Sequence, residues 1–487
     1  MTSDEQWFLQ NYPFKNKPFM HQAAFLDRFW RKKGVALLAD MGTGKSFMLI
    51  NNAAMLYDRG MIDAILVVAP KGVYRNWYKE EIPKHMPAHI SYKMACWNAS
   101  PRKAEKQEMD EMYNAVDDLR ILIMNVEAFS TPRGVEFAST FINVTKAFMA
   151  IDESTTIKNH KAKRTKNVVK VGRGARVKRV ATGSPITKNP MDLYSQCDFL
   201  GPQYLDASSF YAFQARYAIV VERQTSSHKF KQVVGYRRLD ELQEKLKSFS
   251  YRVTKEECLD LPDKVYTWRE IELTPEQQKA YNQMTAMAMA VVEEGMMTTN
   301  NALTSLLRLH QIVCGHMKLD DGTEINLPNN RMDELMSTIE EVTGKVIIWA
   351  NYRKDIEAIK LALQKEYGMD TVATYYGDTA TEERQEIVER FQDKEDKLRF
   401  FVGNPTTGGY GLTLTEAKTV IYYSNSFDLE KRLQSEDRAH RIGQTSKVTY
   451  IDFLTPRTVD EHIVKALRNK IDIAGEVLGE KFKEWLI

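Results

Sequence analysis

Short runs of β-branched and aliphatic residues recur along the chain, separated by stretches whose apolar positions return every three or four residues. Gly34–Ala39, Ala64–Ala69, Arg120–Met124, Ala147–Ile151 and Lys178–Ala181 make a first series of such runs. Lys345–Ala350, Thr371–Tyr375, Arg399–Val402, Thr419–Tyr423 and Val448–Phe453 make a second. A continuous apolar run bounded by turn residues suits a strand buried on both faces, and strands alternating with helical patterns predict parallel sheets joined by crossover helices. The expectation is an α/β chain with two such sheets. Between them, from Gly201 to Arg331, the pattern changes to amphipathic helices at Leu239–Phe249, Pro275–Val292 and Asn301–Val313, which project from the sheets or bridge them. Ala218–Val221 and Lys229–Val234 flank the polar Ser226-Ser227 and predict an antiparallel hairpin.

A length of 487 residues allows two or three domains at about 150 residues each. The division predicted is 1–200 for a first sheet-based lobe, 201–265 for a protrusion and linker with the hairpin, 266–330 for a helical protrusion, 331–465 for a second lobe and 466–487 for a C-terminal helix. With 43% hydrophobic and 27% charged residues the composition is that of a soluble globular protein. No apolar run approaches the roughly 20 residues of a membrane-spanning helix. The acidic N-terminus, MTSDEQW, lacks the basic and apolar regions of a secretory signal, so a cytoplasmic location is expected. Cys96, Cys197, Cys258 and Cys314 stand far apart, without metal-ligand or disulfide spacing. The net charge of +3 points to no partner by itself. Local charge says more: from Lys158 to Arg179 there are ten basic residues and no acid, which predicts either a phosphate-binding surface or a solvated helix face.

The chemistry starts where the run Gly34–Ala39 enters Asp40-Met41-Gly42-Thr43-Gly44-Lys45-Ser46 and then a helical pattern. Strand, glycine loop and helix together form a phosphate cradle: backbone N–H groups close around phosphate oxygens, Lys45 reaches the outer phosphates and Ser46 is placed to hold magnesium. Ala147–Ile151 delivers Asp152-Glu153 at its C-terminal end, where ligands meet an open α/β sheet. Phosphoryl transfer to water needs a carboxylate on the metal and a group that orients the water, which are roles for Asp152 and Glu153. Far downstream, Gln434-Ser435-Glu436-Asp437-Arg438-Ala439-His440-Arg441 sets two arginines three apart, so that on a helix both project to one side. Such guanidinium groups stabilise charge on a transferring phosphoryl, although a surface helix with salt bridges has the same spacing.

Taken in order, these motifs resemble helicase superfamily two, specifically the Swi/Snf-type DNA translocases in their compact viral or bacterial or annealing-helicase-like branch. KPFMHQAAFLDRFW resembles the Q-motif region, LADMGTGKS motif I, LVVAPKGVYRNWYKEE motif Ia, ILIMNVEAF the following DNA-facing motif, DESTTIKN motif II and ATGSPITKNP motif III. KVIIWANY resembles motif IV, GGYGLTL motif V and QSEDRAHRIGQ motif VI. The chain departs from the family pattern at Ser154-Thr155 and at Asn404-Pro405-Thr406-Thr407. The resemblance implies two tandem RecA-like lobes with helical protrusions, ATP and Mg2+ as cofactors, and double-stranded DNA as partner, held by its phosphates without base specificity. It further implies Gln22 on the adenine; Met41, Gly42, Thr43, Gly44, Lys45, Ser46 and Gly411 on the nucleotide; Ser46 and Asp152 on magnesium; and Lys45, Asp152, Glu153, Arg438 and Arg441 in catalysis. Lys71, Arg75, Asn125, Lys158, Thr407, Gly408 and Gly409 become DNA contacts, and Thr182, Ser184 and Gln434 coupling residues.

The function expected is that of a monomeric ATP-driven motor that tracks along duplex DNA, remodelling it or displacing bound proteins. Two alternatives stand beside it. One is a strand-separating or annealing helicase that uses the hairpin, with Arg223, His228, Lys229 and Lys231 around its tip, as a wedge. The other is a nucleotide-gated scaffold that clamps DNA or protein without turnover.

Overall fold

The computed structural model describes residues 8, 11–224, 229–258, 261–293, 299–318, 323–377, 379, 381–407, 412–441 and 443–479. They fall into two compact units. Among the described residues the first comprises those within 8–220, 233–258 and 473–479, and the second those within 221–232 and 261–472.

The first unit is built on strands β1 (Gly34–Ala39), β2 (Ala64–Ala69), β3 (Tyr92–Cys96), β4 (Leu119–Asn125), β5 (Ala147–Asp152) and β6 (Val177–Ala181). Strands β7 (Ala218–Gln224) and β8 (Lys229–Tyr236) pair with each other in a separate two-stranded sheet, and β9 (Ser250–Val253) returns to the main one. The main sheet has the order β3-β4-β2-β5-β6-β1-β9, with every pairing parallel. Its central strands bury residues on both faces in strict alternation. Ala36, Leu38, Leu66, Val68, Met149 and Ile151 join one apolar cluster, whereas Val35, Leu37, Ile65, Val67, Phe148 and Ala150 join the other. This two-sided burial is why the strands read as unbroken apolar runs. The two edge strands, β3 and β9, did not stand out in the sequence. The first alternates partly exposed positions and the second has four residues, so neither presents a continuous apolar string. Ala474 and Val477, from the C-terminal helix Val459–Leu478, lie in the same cluster as Leu242, Leu246 and Phe249 of the helix Leu239–Phe249.

The second unit carries β10 (Lys264–Glu270), β11 (His316–Lys318), β12 (Glu324–Asn326), β13 (Lys345–Trp349), β14 (Val372–Tyr375), β15 (Phe400–Gly403), β16 (Ala417–Tyr422) and β17 (Val448–Leu454). Its sheet has the order β10-β17-β16-β13-β15-β14 and is likewise parallel throughout. The chain is therefore α/β with two parallel-sheet lobes, as expected. Strand β10 pairs with β17 over its whole length although its sequence, KVYTWRE, alternates polar residues and sits in a stretch read as a connection. The helices Pro275–Glu293 and Thr299–Val313 follow the predicted amphipathic pattern. The tip of the predicted hairpin, residues 225–228, lies outside the described residues. No helix among the described residues is long and apolar enough to cross a membrane.

A buried ionic network ties the second sheet to the helix Leu429–Glu436. The Glu436 carboxylate accepts from Lys264 Nζ at 3.1 Å, from the Tyr266 hydroxyl at 2.7 Å and from Arg432 Nε at 2.9 Å. The Arg432 guanidinium also pairs with Asp452, at 2.9 Å, and lies flat over the Tyr422 ring at 3.5 Å. Asn425 donates to the same Asp452 at 2.6 Å.

Candidate functional site

Apart from Gln22, on the helix Met20–Phe29, the groups assigned to chemistry in the first unit follow the C-terminal ends of adjacent strands β1, β6, β5, β2 and β4. After β1 the chain turns through Asp40–Gly44, closed by the Thr43 hydroxyl donating to Asp40 O at 2.8 Å. It then enters the helix Lys45–Asp58. Gly42 and Gly44 both have φ near +84°, the left-handed region that residues with a Cβ enter at a cost. At Gly44 the constraint is double, because a Cβ there would also run into the Gln22 amide. That amide accepts from Phe19 N at 3.0 Å and donates to Thr43 O at 3.2 Å, and His21 Nε2 lies 2.7 Å from the same carbonyl. Gln22 and His21 thus brace the outer side of the loop. Lys45 is buried, with its ammonium donating to Ala39 O at 3.0 Å and Asp40 O at 3.3 Å. On the inner side Arg252 bonds Asp40 Oδ1 at 2.9 Å and donates to Leu38 O and Gly183 O. Gly44→Ala is expected to unseat Gln22 and strain the loop by about 1–2 kcal/mol, and therefore to weaken nucleotide binding roughly tenfold, measured by titration with a fluorescent nucleotide.

Asp152 ends strand β5 and is half-buried. Burial pushes its pKa above the usual carboxylate range, with the Lys45 charge opposing that shift. Asp152 Oδ2 accepts the Trp77 indole N–H at 2.9 Å, and Oδ1 accepts Glu153 N at 3.1 Å. Glu153 itself is left-handed, φ 48° and ψ 62°, a conformation that is strained for a residue with a side chain and is concentrated at functional sites. Its carboxylate accepts from the Thr182 hydroxyl at 3.4 Å, and that hydroxyl in turn accepts from Ser184 N at 3.2 Å. A second link between these loops runs through Ser154, whose hydroxyl donates to Gln196 Oε1 at 2.7 Å while Gln196 Nε2 donates to Pro185 O at 2.8 Å.

The oxygen groups fit a small hard cation. Glu81 lies near both Ser46 and Asp152: burial pushes its carboxyl upward, the Ser46 hydroxyl opposes that shift and the Asp152 charge adds to it. The Asp152 carboxylate and the Ser46 hydroxyl suit Mg2+, which keeps waters and shares phosphate oxygens rather than filling a closed protein cage. Among the described residues no cluster of three or more His, Cys, Asp or Glu side chains is placed to hold a metal.

In the second unit, the helix expected to carry both arginines ends at Glu436. Arg438 and Arg441 lie beyond it, in turns closed by Arg438 N to Ser435 O and Gln444 N to Arg441 O. The helix stops where Glu436 is pinned in the ionic network, its carbonyl accepting from the Tyr450 hydroxyl at 2.9 Å. The two guanidinium groups nevertheless converge, donating to the one Leu412 carbonyl at 3.2 and 2.9 Å. Arg438 is buried and Arg441 half-buried. Gln434 is buried on the helix, its amide 3.4 Å from Glu430.

The residues read as DNA contacts are spread over both units. Lys71 and Arg75 are exposed after β2. Asn125 ends β4 and donates to Glu127 at 3.1 Å, and Lys158 donates to the Thr187 hydroxyl at 2.6 Å. Thr407 closes a turn capped by Asn404, whereas Gly408, Gly409 and Gly411 lie outside the described residues. The basic block from Lys158 to Arg179 does not form one surface. Arg179 is fully buried, bonding Asn52 at 2.9 Å and the carbonyls of Lys178 and Phe29. Lys166, Lys170 and Arg173 instead open onto a cavity of about 470 Å³. His21, Trp77, Glu81, Gln196 and Arg252 escaped the sequence reading. For Trp77 and Glu81 the signal was present in the NWYKEE string.

Residues 15–318, more than half of the chain, match the family model of the SNF2-related domain. The chain belongs to the SNF2-related family. Residues 330–443 of this SNF2-related chain match the helicase conserved C-terminal domain. It is similar to the putative ATP-dependent helicase/translocase YwqA of Bacillus subtilis, 27% identical over 91% of this chain and 46% of that protein. It is also similar to nuclear protein STH1/NPS1 of Saccharomyces cerevisiae, 25% identical over 91% of this chain and 33% of that protein. The SNF2-related chain thus spans less than half the length of these curated relatives. A solved SWI2/SNF2 ATPase core of Sulfolobus solfataricus in complex with dsDNA aligns at 25% identity over 96% of this chain and 95% of that one, with a TM-score of 0.44.

Proposed function

We propose that the chain is an ATP-hydrolysing motor that translocates along double-stranded DNA, remodelling it or displacing bound proteins. The observation that carries this reading is the convergence, at the C-terminal ends of adjacent strands of one sheet, of the glycine loop with Lys45, the half-buried Asp152 and the Thr182-linked Glu153 in an SNF2-related chain. Bound ATP supplies a γ-phosphoryl group for transfer to water, and Mg2+ on Ser46 and Asp152 offsets its charge.

Within that reading the backbone of Met41–Gly44 and the Lys45 ammonium hold the phosphates, and Gln22 meets the base. Glu153 orients the attacking water and takes up its proton. Arg438 and Arg441 stabilise the charge that develops on the phosphoryl oxygens. The Thr182 hydroxyl, shared by Glu153 and Ser184, reports the state of the hydrolytic carboxylate to the 182–190 loop, and Gln434 couples in the second unit. Lys71, Arg75, Asn125, Lys158 and Thr407, with Gly408 and Gly409, grip phosphates without reading bases. Lys166, Lys170 and Arg173 add cationic surface, so binding weakens as salt rises. The reading keeps the predicted five-part domain division, a monomer as the working state and the cytoplasm as the compartment.

ATP hydrolysis by the purified chain is measured with and without duplex DNA. The rate is expected to rise on adding duplex, irrespective of its sequence. A rate that duplex DNA leaves unchanged ends the motor assignment.

A further inference from the structure

After Pro70 and Lys71 the chain makes a single helical turn at Tyr74–Asn76 and then widens into a π-type turn at Trp77–Glu81. A widened turn inserts a residue into the helical register and re-aims the side chains it carries. Here it turns two side chains toward the oxygen groups described above. Trp77 is 3% exposed and donates its indole N–H to Asp152 Oδ2 at 2.9 Å. Glu81, four residues on and so on the same side, faces Ser46, whose hydroxyl opposes the upward push of burial on the Glu81 carboxyl. Asn76 and His85 stand behind Glu81, with Asn76 Nδ2 3.4 Å from Oε1 and His85 Nε2 3.7 Å from Oε2. The His85 ring is held edge-on to Phe47, the residue after Ser46, at 5.5 Å.

The choice of these two side chains has a chemical logic. A buried carboxylate that is to meet a cation must stay oriented without being neutralised first. A lysine or arginine in the Trp77 position would orient Asp152 but would also cancel its charge and repel the incoming ion. An indole N–H is a neutral donor with no acceptor function, so it holds Oδ2 in place and leaves the negative charge for the cation. Ser46 has the complementary problem. A hydroxyl offers its lone pairs to a metal most readily when its proton points elsewhere, and the Glu81 carboxylate beside it is a group toward which that proton can point.

We propose that Trp77 and Glu81 are positioning residues for the divalent cation, Trp77 fixing the Asp152 carboxylate and Glu81 the Ser46 hydroxyl. This inference rests on the reading of the glycine loop as a Mg2+–ATP site. Both side chains act through Ser46 and Asp152 and are not metal ligands.

The test is a binding measurement that needs no turnover. A fluorescent ATP analogue is held at fixed concentration with the full-length chain while magnesium chloride is titrated, and a parallel sample contains EDTA. Wild type is expected to bind with a defined magnesium midpoint; if it shows no magnesium-dependent binding, the parent reading fails and takes this one with it. Given that midpoint, Trp77→Phe keeps an aromatic ring but no N–H, and Glu81→Met keeps length but no acceptor. Both are expected to move the midpoint upward by about ten- to a hundredfold, the usual penalty for losing an outer-shell partner, while binding in EDTA stays at the wild-type level. Glu81→Gln retains an acceptor oxygen and is expected to restore the midpoint. Unchanged midpoints in Trp77→Phe and Glu81→Met overturn the proposal. So does an equal loss of binding in EDTA, which would make the turn a general structural support.

Discussion

Glu153→Gln is expected to bind ATP as wild type does and to hydrolyse it about a thousandfold more slowly, the usual contribution of a positioned general base being 10²–10⁴. The substitution is chosen because nearly everything else about the residue survives it. Glutamine has the same length, and its Oε1 can still accept from the Thr182 hydroxyl, now 3.4 Å from the carboxylate. The left-handed backbone at φ 48° is as costly for glutamine as for glutamate, so folding is not at issue. Asp152 keeps its backbone partner, because Oδ1 accepts from the main-chain N–H of residue 153. What goes is the negative charge that would receive a proton from water. Equilibrium nucleotide binding and single-turnover hydrolysis, measured on the same preparation, separate the two effects. A chain that only clamps its partners would have no turnover to lose, so a variant indistinguishable from wild type in both measurements removes Glu153 from the mechanism.

The second large effect is on stability. Glu436→Ala leaves Lys264 and Arg432 facing a hole where a carboxylate stood, and unpairing a buried charge costs about 3–5 kcal/mol. Denaturant unfolding is expected to show a loss of that size. The same network gives the wild-type chain a pH signature. Burial alone would push the Glu436 carboxyl upward, but Lys264 and Arg432 overcome it and hold the pKa at about 2, against 4.5 for the free side chain. A carboxyl whose folded pKa is depressed stabilises fully above its unfolded value and loses that contribution as pH falls through its folded one. Stability is therefore expected to drop between about pH 4.5 and pH 2 in wild type. The slope across that interval should be shallower in Glu436→Ala, and equal slopes would mean that other carboxyls govern acid unfolding.

Much of this molecule is readable from pattern because its central strands are buried on both sides. Val35–Ala39, Ile65–Ala69 and Phe148–Ile151 send alternate residues into two different apolar clusters, which leaves no polar position to break the run. Edge strands lack that signature. Tyr92–Cys96, Ser250–Val253 and Lys264–Glu270 keep partly exposed positions and were passed over. The glycine loop and Asp152-Glu153 were legible because their roles depend on local order: strand, turn, helix. Trp77, Gln196 and Arg252 were not, since each matters only through a partner 75, 42 or 212 positions away in sequence, respectively Asp152, Ser154 and Asp40. Charge misled where burial intervened, since Arg179 looks like any other cation in its block and spends its donors inside the unit, on Asn52 and backbone carbonyls. The helix assumed under Arg438 and Arg441 failed for a similar reason. Spacing of three suits a helix, but the network at Glu436 ends it first.

Arg438 and Arg441 hang from the same main-chain oxygen, that of Leu412. A carbonyl has two lone pairs, so the shared attachment is full, and neither side chain can leave without changing the other's grip. The two cations are thus tied at one point, so a change in the position of the Leu412 carbonyl alters the hydrogen bonding of both.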